Sequence, residues 1–312
     1  MDIDLGRLRS RSQNYDLLAQ LLCTGFDAKL VPILRFSPRY QRSLEGREVE
    51  ELEELHEHLF DDDFSVFSGV FLDPEGRSSG PLEGRLRQNL VSIDALPADR
   101  EVEPDSLIEQ VALLARLVGC EVEGWENERP EEWQSFHRAQ GLILHQHLMP
   151  WLPPWTVALI LQDQAPYRVL AEELWHCAFT HFSELHPGCG IDERPFPVVD
   201  HGVAPLHQSD MGNSQVAEYL VRPFYSGWYL SRSDLLKLAE AVNVSLPLGA
   251  RQSMMLELLN AADRKHLVSA LMQRVRLWEQ GYDDLRAPRQ VSTWRERLAV
   301  TRRLVDALHL RT

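Results

Sequence analysis

Residues 145–155, HQHLMPWLPPW, place two histidines, two tryptophans and three prolines in eleven positions. Imidazoles at such density raise the question of a metal site. On a helix, residues two apart point about 200° from one another, so His145 and His147 do not clamp one ion. His176 and His181 stand five apart and miss the i, i+4 face that paired histidine ligands use. His181, His186 and Cys189 meet only if a loop folds back on a helix. Cys23, Cys120, Cys177 and Cys189 include no C-x-x-C pair, which points to reduced, mostly buried thiols. No G-x-S-x-G, G-x-x-x-x-G-K-[ST] or G-x-G-x-x-G occurs, so the usual nucleophile elbow and phosphate cradles are absent. Acidic pairs such as Glu172 and Glu173 read as a solvated face. The expectation is a binding protein and not an enzyme, with no metal and no cofactor.

The elements that must position these residues read almost entirely as helix. YDLLAQLL starts an apolar helix at Tyr15. Across 45–59, Val49, Leu52, Leu55 and Leu59 form one stripe among glutamates, and DDD at 61–63 ends it. FLDPEGRSSGPLEG, 71–84, reads as a loop. Pro104 suits a first helical turn, followed by Leu107, Ile108, Val111, Leu114, Ala115 and Val118, with Gly119 as the stop. Trp133 to Leu148 and 167–188 give two more helices. Between the latter pair, Pro150 ends one helix and Pro154 begins the next, so 149–155 is a corner filled by tryptophan. Helices resume with QVAEYL and run to the end, with a capping pattern of Ser231 and Asp234. No period-two pattern with hairpin turns is present. The fold expected is all-α: a helical bundle over 1–190, a linker or long loop over 191–214, and a helical extension over 215–312.

Charge narrows the partners. The chain carries a net −15, but unevenly: residues 1–195 hold 35 acidic against 17 basic residues, and 196–312 hold 12 against 15. Such a body repels phosphate backbones, which excludes nucleic acid, and complements a basic partner. The stretch 231–259 has a helix–turn–helix outline, but its second helix offers Arg251, Gln252, Ser253 and two methionines, a composition for packing. No apolar run approaches a membrane span, and the N-terminus has no signal-peptide pattern. A cytoplasmic protein without stable membrane insertion is expected.

Three stretches together resemble the TorD/DmsD/NarJ family of molybdoenzyme-maturation chaperones. FLDPEGRSSGPLEG resembles the family's proline-containing loop, with Glu83 on its glutamate. EPDSLIEQVALLARL resembles P-D-H-x-G-x-E-L, with Pro104 and Asp105 matching, while Ser106 and Gln110 replace histidine and glutamate. FHRAQGLILHQHLMPWLPPW resembles E-H-L-x-x-W-x-P, with His147, Leu148, Trp151 and Pro153 matching. The likeness covers about residues 15–188. It implies a TorD-like bundle that holds an immature molybdenum-containing oxidoreductase subunit, through its twin-arginine signal peptide or its mature body, before cofactor insertion. Client contacts are then expected at Glu83, Pro104, Asp105, Ser106, Gln110, His147, Leu148 and Trp151, with Asp105 and Glu83 as an acidic rim and Trp151 and Leu148 as an apolar floor. Segment exchange through a long linker leaves a homodimer open. A metal- or nucleotide-dependent enzyme on a helical scaffold, or a scaffold or regulatory module, are the rival readings.

Overall fold

The computed structural model describes residues 4–77, 83–84, 87–88, 103–185 and 211–310. It is all-α. Among the described residues there is no strand, and the one extended pairing is an isolated antiparallel bridge between Phe67 and Ser106.

The chain divides into two compact units that do not follow chain order. The first comprises Met1–Gly69, Arg77–Leu152 and Gln164–Phe196; the second comprises Val70–Gly76, Pro153–Asp163 and Pro197–Thr312. The expected linker at 191–214 lies outside the described residues as far as 210, and a helix already begins at Asn213.

In the first unit, α1 (Leu5–Thr24) starts ten residues before the expected Tyr15. Asp4 caps it by accepting the Arg7 N–H at 3.0 Å. Its first turns carry arginine, serine and asparagine toward solvent, so the apolar period becomes visible only where Tyr15, Leu18, Ala19 and Leu22 enter the core. Two short helices follow, α2 (Leu30–Leu34) and α3 (Pro38–Ser43), then α4 (Val49–Glu57). DDD does not stop α4 in α-helical form: the chain widens into a π turn, His58–Asp63. The expected loop at 71–84 is helical at both ends, since α5 (Ser68–Leu72) includes Phe71 and Leu72, and Glu83 and Gly84 are helical.

The long helix α6 (Leu107–Glu126) passes straight through Gly119, the expected stop. A Cβ at Gly119 would lie 3.4 Å from Ser12 Oγ, and that hydroxyl donates to the Ala115 carbonyl at 2.8 Å. The first of these is an ordinary contact distance, and the helix carries the glycine at a cost of roughly 0.5–1 kcal/mol. Helix α7 (Pro130–Leu142) packs on α6, with Trp125 and Trp133 stacked at 4.0 Å between ring centroids. It continues as a π turn, Ile143–Leu148, which carries both histidines of the HQH stretch. After the Met149–Trp151 turn, α8 (Leu152–Ile160) begins with prolines in its first turn, as the corner reading required. Helix α9 (Ala165–Glu184) closes the unit against α1 and α3.

Besides nearly all of α8 and the Val70–Leu72 end of α5, the second unit contains α10 (Asn213–Val221), α11 (Pro223–Ser226), α12 (Arg232–Ala241), α13 (Arg251–Ala261), α14 (Arg264–Asp284) and α15 (Pro288–Ala307). Helix α10 packs on α13 and α14 on α15. The Ser231–Asp234 capping box forms, with Ser231 Oγ accepting from the Asp234 N–H at 3.0 Å and an Asp234 carboxylate oxygen accepting from the Ser231 N–H at 3.1 Å. The stretch RPFYSGWYLSRSD is the knot of this unit. Trp228 Nε1 donates to the Leu220 carbonyl at 2.7 Å, Tyr282 to the Gly227 carbonyl at 2.7 Å, and Thr301 to the Ser226 carbonyl at 2.7 Å. Gly227 turns the chain with φ +74°, and a Cβ there would meet the Leu298 nitrogen and the Trp294 oxygen at 2.6 Å. Gly227→Ala should therefore cost at least about 2 kcal/mol of stability, read as a lower urea midpoint with an unchanged slope.

Candidate peptide-binding site

The first turn of α6 gathers four of the eight expected residues. Residues 66–68 run beside 105–107: Ser68 N–H donates to the Asp105 carbonyl at 2.9 Å, and Leu107 N–H to the Val66 carbonyl at 2.7 Å. This pairing fixes Pro104, Asp105 and Ser106 at the mouth of the helix. Ser106 is the N-cap by backbone geometry, with its hydroxyl making no cap bond and its N–H donating to the Glu103 carbonyl at 2.9 Å. Gln110, one turn in, donates from Nε2 to the Pro104 carbonyl at 3.2 Å.

Two polar atoms in this cluster are left over. Asp105 is 3% exposed and Gln110 2%, yet Asp105 Oδ2 and Gln110 Oε1 have no hydrogen-bond partner among the described residues. Burial pushes the Asp105 carboxyl up to about 6; the nearby charges of Glu83 and Glu103 add to the rise, and the backbone amides of Asp105 and Gly69 oppose it. Glu83 is half-buried and pairs with Arg87 at 3.1 Å, one helical turn away. Glu83 and Glu103 thus both raise the Asp105 pKa, and Asp105 keeps one carboxylate oxygen without a partner among the described residues.

The other expected residues have a different environment. Leu148 and Trp151 are fully buried. As placed, they are core of the corner and present no surface to a partner, unlike the open floor the sequence suggested. His147 is half-buried on the π turn.

Sequence reasoning missed a buried polar chain toward the other end of α6. His181, 1% exposed, donates from Nε2 to Gln140 Oε1 at 3.0 Å and accepts at Nδ1 from the Tyr15 hydroxyl at 3.1 Å. The tautomer follows from Gln140, whose amide nitrogen donates to the Leu117 carbonyl at 3.2 Å and to Glu121 at 2.8 Å, leaving its oxygen to accept. Glu121 also meets His137 at 3.0 Å. Burial, then the charges of Arg11 and His137, drive the His181 pKa well below its ordinary value, so the ring is neutral. At the other end Tyr15 meets the Cys177 thiol, which burial pushes up to about 11. No motif announces residues that come from four separate helices. Among the described residues, no three His, Cys, Asp or Glu side chains converge as a metal site would need.

Compared with known protein families, with curated proteins and with solved structures, the chain matches none. No helix among the described residues is long and apolar enough to cross a membrane.

The two buried titratable groups give opposite pH signatures. The Asp105 pKa is raised from 3.8 to about 6, so its contribution to stability is present below the lower value and is lost as pH rises through the upper. Asp105→Asn should stabilise the protein by about 1–2 kcal/mol at neutral pH, after solvent screening, and remove that slope. The His181 pKa is depressed below 6.5, so its contribution is present above that pH and lost as pH falls. His181→Phe should cost about 2–4 kcal/mol at alkaline pH, by orphaning Tyr15 and Gln140, and the deficit should shrink on acidification. Urea titrations across pH read both.

Proposed function

We propose that this protein is a chaperone that holds an immature molybdenum-containing oxidoreductase subunit, gripping an arginine of the client's twin-arginine signal peptide at the mouth of α6. The observation that carries this reading is Asp105: a buried carboxylate with one unpartnered oxygen, flanked by Glu83 and Glu103. A carboxylate left in that state costs free energy that an incoming guanidinium recovers, and the planar fork of arginine matches it better than the point charge of lysine. The motif resemblance supplies the client class, and the surplus of acid over residues 1–195 favours encounter with a basic segment. Because Asp105 is covered, a guanidinium reaches Oδ2 only after the residues over it shift, so binding includes a conformational step.

Titration of the full chain with a twin-arginine signal peptide and with its lysine-substituted counterpart tests this. The arginine peptide should bind about tenfold more tightly, Asp105→Asn should erase the difference, and affinity should fall as pH drops below about 6, where Asp105 takes up a proton. Equal affinity for the two peptides, or full binding by Asp105→Asn, would reject the assignment.

A further inference from the structure

A concavity separate from Asp105 and Glu83 lies in the first unit between α1 and α9 and measures about 450 Å³. One face of α1 forms its wall: Arg7, Ser10, Arg11, Asn14, Leu17 and Leu18, spaced three and four apart. This face changes character along about 16 Å of helix, from cationic and polar at Arg7 to apolar at Leu18. Ile33 and Leu34 of α2 continue the apolar end, with Ile33 63% exposed at the lip.

Helix α9 runs antiparallel to α1, as the Arg11–Glu184 pair and the Tyr15–His181 bond require. Along α9, Thr180 therefore lies nearer the cationic end than Glu173 does. Arg7 and Arg11 both pair with the single carboxylate of Glu184, so two guanidiniums meet one carboxylate there. Glu173 is already neutralised by Arg39. Ser10, Asn14 and Thr180 add polar groups to the lining. Tyr40 also lines the groove; it is 5% exposed, and its hydroxyl has no partner.

We propose that this groove binds a free amphipathic carboxylate, its head held by Arg7 and Arg11 and its aliphatic tail laid on Leu17, Leu18, Ile33 and Leu34. Charge complementarity selects the anionic head: two guanidiniums facing one carboxylate accommodate a second. Volume and the apolar lip select the tail, since a concavity of this size encloses one small ligand with a few convergent polar groups. This inference does not use the client site, and its failure leaves the chaperone reading untouched.

Calorimetric titration of the full chain with decanoate tests it, with decyltrimethylammonium as the cationic control and anionic phosphatidylglycerol vesicles as the membrane control. Decanoate should bind saturably at one site, and the cation should not bind. Asn14→Asp adds a negative charge at the head end, and Ile33→Asp removes the exposed lip. Both residues are on the surface, so unfolding midpoints should hold while affinity falls about tenfold in each. Equal binding of the two amphiphiles, binding of vesicles without decanoate, or wild-type affinity in both variants would overturn the proposal.

Discussion

The hydrogen-bond chain from Glu121 through Gln140 and His181 to Tyr15 is the constraint on which the first unit rests. It joins α6, α7, α9 and α1, and its direction is set at each step by donor and acceptor count. A buried network of this kind contributes little more than its apolar replacement would in net free energy, but it permits one arrangement of the four helices and penalises the others. The arrangement matters because α6 presents Asp105, while α1 and α9 face one another across the groove. Both candidate binding features are therefore placed by residues that touch neither ligand.

The second unit solves the same problem differently. Its helices meet on the backbone of one short turn. Gly227 lets Trp294 and Leu298 of α15 come within contact of the main chain, and Tyr282 and Thr301 donate to the carbonyls on either side. Arg297 is 8% exposed and lies over the rings of Phe224 and Trp294 at 4.5 and 4.9 Å, and burial pushes its pKa down to about 10. Cation–π contacts hold this guanidinium where other buried arginines use carboxylates.

The fold class was readable in the sequence because its signal is local. The 3.6 period of α6 from Leu107, the proline corner at 150–154 and the Ser231–Asp234 cap each need only a few neighbouring residues. The misreadings share one cause. Gly119 looks like a stop until α1 is seen packed along α6, and the helix start reads as Tyr15 because residues 5–14 turn polar side chains to solvent and pair with Glu126 and Glu184, more than a hundred positions away. The motif resemblance singles out Asp105, but its unpartnered oxygen is not readable, since that depends on what residues 66–69 place beside it. Trp151 shows the converse: its residue type suggested a binding surface, and packing made it core.

The segments Val70–Gly76 and Pro153–Asp163 belong with the C-terminal helices and not with the sequence around them. The polypeptide consequently crosses from one folding unit to the other five times. A stop codon at residue 196 would not release an intact N-terminal half. It would strand Val157 and Phe71, both fully buried in the whole protein, without the later residues Gly281 and Tyr229 that meet them. Neither half is a module that evolution or an engineer can trade independently, and the two must be synthesised, folded and degraded together.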